Sequence, residues 1–213
     1  MSDVSGMGDE VTRSVEATNP VTVSSVARRR KAFPNGWWGM ALLIATEATL
    51  FGTIFGTYYY LRFETPHWPP PGVPDPKVVV PLVLTGVLVA TSALMQLALA
   101  AARRAEVSLV RLLLVAALVV QSGYFAMQIH LFADDLQKFK PSESAYGSIY
   151  YTLVGAHHAH VLVGILLNAW LLLRILPGIT NYRLVGLQTI TFYWHFVNVL
   201  AVCVVLTQVS PSL

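Results

Sequence analysis

The chain has 213 residues, 55% of them hydrophobic and 12% charged, and its mean hydropathy is +0.59. This profile excludes an ordinary soluble domain and places the chain among integral membrane proteins. A net charge of +3, with the basic residues at segment ends, and a single cysteine leave no case for nucleic-acid binding, a disulfide framework or a thiolate metal cluster.

Residues 1–32 mix Ser, Thr, Val and Glu without an apolar core, which predicts a polar, disordered tail and not a cleaved signal peptide. Five apolar segments follow, at about residues 38–61, 78–102, 109–133, 148–173 and 184–208. Each holds about 20 or more residues with few or no charges, and in lipid only a helix satisfies the backbone of such a span. The predicted fold class is an all-α integral membrane protein, a five-transmembrane-helix bundle over residues 33–213. Arg13, Arg28, Arg29, Arg30, Lys31, Arg103, Arg104, Arg111, Arg174 and Arg183 fall on one side, against Arg62, Lys77, Lys138 and Lys140 on the other. The excess of Lys and Arg predicts a cytoplasmic N-terminus and an external C-terminus.

The first span carries Glu47, the only acidic residue within any of these runs. It lies near mid-depth of a hydrocarbon slab roughly 30 Å thick, where an ionisable group is expensive and is a functional candidate by default. Two readings stand: a neutral, hydrogen-bonded carboxyl at a helix contact, or a proton-handling or regulatory group. Ala41, Ala45, Ala48, Gly52 and Gly56 form a separate small-residue stripe that lets another helix approach closely. Glu47 points away from that stripe and is expected to face a subunit or lipid boundary. Trp37 and Trp38 fit an internal aromatic belt, and Tyr58, Tyr59 and Tyr60 an external one. Six prolines between Pro66 and Pro76 make an external, non-helical loop, in which His67 and Trp68 read as interface anchors. His130 reads as an interfacial side chain near the external end of the third span.

The fourth span places Tyr150, His157, His160, Gly164 and Asn168 on one face, with His158 turned away by about 100°. The fifth places Gln188, Thr191, His195 and Asn198 on one face. His157 and His195 fall near mid-depth, so neighbouring antiparallel helices would join the two stripes in one seam. Such a seam is either an interhelical hydrogen-bond network or a set of imidazole ligands for haem or a metal. No Gly-rich phosphate loop, Ser/His/Asp set or pair of carboxylates can be assembled, so no catalytic residue is assigned.

Several motifs then carry a family likeness. Ala45-Thr46-Glu47 with Leu50-Phe51 resembles the Ser-Glu motif of subunit III of the haem–copper cytochrome c oxidases. Trp68-Pro69-Pro70 with Gly72 is similar to its Trp-Pro-Pro-x-Gly loop, and Val80-Pro81-Leu82 with Thr85 to the opening of its next helix. Tyr146-Gly147-Ser148 precedes Gly155-Ala156-His157-His158-Ala159-His160-Val161, similar to the family's Thr-Gly-Phe-His-Gly-x-His-Val. Tyr193-Trp194-His195-Phe196-Val197-Asn198 is similar to Tyr-Trp-His-Phe-Val-Asp. Together these motifs span about 180 residues in the family's order and match its short, five-helix forms. The chain departs from the pattern at His158 (family Gly), Asn198 (family Asp) and Leu131 (the Glu of a Gln-x-x-Glu that begins at Gln128).

The resemblance implies a multi-pass subunit of the bacterial inner membrane that packs mainly on oxidase subunit I, with subunit II also in the complex. It implies haem and copper in those partners and none in this chain, bound phospholipid, and support for proton uptake and durability of the catalytic subunit. Under that implication His157, His160, Asn168, Gln188, His195 and Asn198 are a polar helix seam and not metal ligands. Arg174 aligns with a family arginine that meets a lipid phosphate, and with Trp38 it is the candidate lipid contact. The alternatives are subunit III of a quinol oxidase, an accessory protein of nitric oxide reductase, or an autonomous b-type haem protein.

Overall fold

The computed structural model describes residues 35–74 and 76–212. The tail 1–32, with Arg13, Arg28, Arg29, Arg30 and Lys31, lies outside the described residues. Five helices carry the fold: α1 (Asn35–Glu64), α2 (Val79–Arg103), α3 (Val107–Leu136), α4 (Ala145–Ile175) and α5 (Asn181–Val209). All five are long and apolar enough to cross a membrane. Two begin on side-chain caps: Ser144 Oγ accepts the Gly147 N–H at 3.0 Å, and Thr180 Oγ1 the Arg183 N–H at 3.3 Å. Gly147 is required there, because a Cβ would lie 2.6 Å from the Lys140 carbonyl oxygen.

Helices α2, α3, α4 and α5 pack as a closed ring, each against the next and α5 back against α2. Its core is apolar, with Leu88, Met95, Leu114, Val161, Leu187, Trp194 and Val197 fully buried. The α4–α5 crossing is close because Gly164 faces the Trp194 ring; a Cβ on Gly164 would lie 2.8 Å from Trp194 Cζ2.

Helix α1 lies outside the ring, against α4 and α5. At one end Trp37 stacks on Phe192 with ring centroids 5.9 Å apart, and at the other Arg62 Nη2 donates to the Ser210 carbonyl at 2.9 Å. Only Phe51 and Tyr58 of α1 are fully buried. The small-residue stripe is not used within the described bundle: Ala45, Ala48, Gly52 and Gly56 are exposed, and added Cβ atoms on the two glycines meet nothing within 4 Å. The larger flank, Phe51, Ile54, Phe55 and Tyr58, makes the contact instead. Apolar area outweighs close approach here, since α1 has only one side to bury. Trp68 packs between the rings of Tyr58 (5.4 Å) and Tyr146 (5.0 Å), edge to face.

Candidate functional site

Glu47 lies mid-way along α1, opposite His160 of α4, with Oε2 2.9 Å from His160 Nε2. His160 Nδ1 is 2.7 Å from the Ala156 carbonyl, which can only accept, so Nδ1 carries a hydrogen. The remaining contact then needs one proton between imidazole and carboxyl. Either the acid donates to a neutral ring or an imidazolium donates to a carboxylate, and both forms leave the pair with no net charge. The two side chains are 25% and 16% exposed, so the pair sits in the outer groove between α1 and α4. Phe51 meets the His160 ring edge to face at 5.2 Å, and Tyr193 OH donates to the His160 carbonyl at 2.9 Å. Thus Glu47 faces a helix of its own chain, and a boundary only with part of its carboxyl. One-dimensional periodicity gives the direction of a side chain but not which helix lies there.

The two polar stripes do not meet in one seam. On α5, His195 turns to α2: Gln96 Nε2 lies 2.6 Å from His195 Nε2, and His195 Nδ1 lies 3.1 Å from Ser92 Oγ. Asn198 Nδ2 donates to the same serine oxygen. On α4, His157 and Asn168 turn to α3. Tyr124 OH lies 3.3 Å from His157 Nε2 and accepts from Gln128 Nε2 at 3.0 Å, while Asn168 Nδ2 donates to Gln121 Oε1 at 2.9 Å. Gln188 is half-buried and hydrogen-bonds to neither group among the described residues. The expected α4–α5 seam is therefore replaced by three separate contacts, α4–α1, α4–α3 and α5–α2. The physical reason is the Gly164–Trp194 contact, which fills the α4–α5 interface with an indole and turns the polar flanks toward other neighbours.

Both ring nitrogens of His160 and of His195 are thus engaged by protein atoms. Among the described residues no group of three His, Cys, Asp or Glu side chains is placed to hold a metal ion. Three features were missed from sequence: Ser92 and Gln96 as the partners of α5, Gln121 with Tyr124 as the partners of α4, and the burial of His158, which is turned about 100° from the His157 face yet is enclosed. His158 packs on Phe132 and Phe125, with ring centroids 5.5 and 6.3 Å away. Gln96 and Gln121 gave a signal, as polar residues inside apolar runs.

Arg174 ends α4 in the open, its guanidinium 5.5 Å from the Trp170 ring and 5.9 Å from that of Tyr182. Its neighbours at the same end are otherwise occupied: Arg111 Nη2 donates to the Leu176 carbonyl and Arg183 Nη1 to the Gly178 carbonyl. Trp38 is 55% exposed and packs edge to face on Trp37. At the opposite end of the bundle Asp135 accepts from Tyr150 OH at 2.9 Å and from Lys138 Nζ at 3.0 Å, and the latter bond raises the Lys138 pKa.

The model of the family described as cytochrome c oxidase subunit III matches residues 27–209. A probable cytochrome c oxidase subunit 3 of Nocardia farcinica is 29% identical over 201 residues, 90% of each chain. The cytochrome bo(3) ubiquinol oxidase subunit 3 of Pseudomonas aeruginosa is 30% identical, covering 80% of this chain and 82% of the relative. The cytochrome c oxidase subunit 3 of Bacillus subtilis is 27% identical, covering 78% and 81%.

Proposed function

Because the chain belongs to the cytochrome c oxidase subunit III family, we propose that it is the non-redox third subunit of a proton-pumping terminal oxidase in a bacterial inner membrane. In this reading it packs on subunit I beside subunit II and supports stability, proton uptake and lipid binding, while haem and copper in those partners reduce dioxygen to water. The observation that carries the non-redox role is the use of two of the four imidazoles in the α4 and α5 spans. His160 spends both nitrogens on Glu47 and Ala156, and His195 both on Ser92 and Gln96, so they act as braces between helices. Glu47 is proposed as the α1 half of such a brace. Arg174, backed by Trp170 and Tyr182, suits a lipid phosphate at the membrane surface, with Trp38 as a second interfacial contact. The positive-inside bias supports a cytoplasmic N-terminus and an external C-terminus.

A quinol-driven complex is the second reading, favoured by the 30% identity to a ubiquinol oxidase subunit 3. The test is purification in mild detergent through a tag on this chain, identification of its companions, and a reduced-minus-oxidised spectrum with and without them. Oxidase subunits I and II should co-purify and carry all haem absorbance. Stoichiometric haem or copper in the isolated chain would overturn the proposal, and the donor oxidised by the complex decides between the two readings.

A further inference from the structure

We propose that the α2–α5 ring encloses a water-filled half-channel, open at the end carrying Lys77, Asp135 and Lys138 and closed inside the bundle at His157. Two adjoining spaces form it. The outer one is a cavity of about 160 Å3, charged at its mouth and walled by Phe132, Phe139, Tyr146 and Tyr150. The inner one, about 10 Å3, is bounded by Thr85, Tyr124, His157 and His158. Gln128, Val154, His158 and Gln208 line both, so the spaces share a wall. His157 is 12 residues from the start of α4 and Tyr124 is 12 from the end of α3, roughly 18 Å of helix at about 1.5 Å per residue.

The lining chemistry names the occupant. His157 is 2% and His158 6% exposed, yet Nδ1 of each has no partner among the described residues. If the Tyr124 O–H donates to His157 Nε2, the hydrogen on His157 Nδ1 needs an acceptor; in the other tautomer Nδ1 needs a donor, so in both the atom needs a polar partner. A buried polar group without a hydrogen bond costs about 1–3 kcal/mol, and water is the molecule that removes this cost in a small polar space. One water needs about 10–15 Å3 of such space, so the outer cavity holds several and the inner one is at the lower limit for one. An acyl chain would fit the aromatic wall but leave both Nδ1 atoms unpaired. Beyond His157 the path is stopped by the Gln121–Asn168 bond and the fully buried Leu88, Leu114 and Val161. The half-channel brings one aqueous phase to the buried histidines and does not connect the two sides.

The test is cysteine accessibility in the intact complex in which the tagged chain purifies, after replacing the native Cys203 with Ala. Val154→Cys and His158→Cys place thiols on the channel wall, and Ala159→Cys places one at the same depth on the exposed face of α4. The probe is a small, charged, membrane-impermeant methanethiosulfonate, which needs a hydrated thiolate. The two wall thiols should react at least about tenfold faster than the Ala159→Cys thiol. Equal rates at all three positions would overturn the proposal. So would wall thiols that react only with an uncharged, membrane-permeant maleimide, because the occupant would then be apolar. If neither wall variant assembles, a high-resolution map of the unaltered complex decides: density for water beside His158 and Gln128 supports the channel, and a dry wall refutes it. These outcomes concern this chain alone and hold whichever enzyme co-purifies.

Discussion

Removing the Glu47 carboxyl tests the brace between α1 and the ring. Helix α1 fully buries only Phe51 and Tyr58, so its few polar contacts, this bond at mid-length and Arg62–Ser210 at one end, are a large part of what fixes it. That bond is 2.9 Å long and partly exposed, with Glu47 at 25% and His160 at 16%. Interhelical hydrogen bonds in membrane proteins average about 0.6 kcal/mol and reach about 1.7. A proton shared between an acid and an imidazole belongs in the upper half of that range, so the coupling between the two side chains should be about 1 kcal/mol. That corresponds to about a fivefold change in an equilibrium constant. Glu47→Ala should cost about 1–2 kcal/mol, because it also leaves His160 Nε2 unpaired in a half-buried groove. Glu47→Gln should cost less than about 0.5 kcal/mol, since its amide N–H can donate to the same nitrogen. The assay is a double-mutant cycle of Glu47→Ala and His160→Ala, followed by denaturant titration of the detergent-solubilised protein with tryptophan fluorescence. A coupling below about 0.3 kcal/mol, or a Gln variant as damaged as the Ala variant, would refute the brace.

Gly164→Ala drives a methyl group to within 2.8 Å of Trp194 Cζ2 and should destabilise the ring by about 1–3 kcal/mol in the same titration. Gly147→Ala meets the Lys140 carbonyl at 2.6 Å, a backbone atom that cannot swing aside, and should lower the melting temperature although Gly147 lies at a helix start. Arg174→Gln should reduce the phospholipid that co-purifies, measured by phosphorus assay, while changing stability by no more than about 0.5 kcal/mol. In the assembled enzyme Glu47→Ala should leave the first turnovers of electron transfer intact; an immediate loss, as if a redox centre had gone, would refute the supporting role.

An all-helical fold with five helices long and apolar enough to cross a membrane could be read from the residues, because a lipid core imposes one rule on every segment that crosses it. A run of about 20 apolar residues must be a helix there whatever it touches. That Glu47, His157, His160 and His195 each need a polar partner could be read for the same reason, as polar groups at a depth where they are costly. Their partners could not. Helical periodicity assigns His160 and Asn168 to one stripe, but α4 and α5 each have three neighbouring helices, and Gly164 against Trp194 closes the interface where the two stripes were expected to join. His160 therefore reaches α1, His157 and Asn168 reach α3, and His195 and Asn198 reach α2. Sequence fixes the azimuth of a side chain on its own helix, whereas its partner depends on how whole helices share a limited perimeter, a property of the packed bundle and of no single segment.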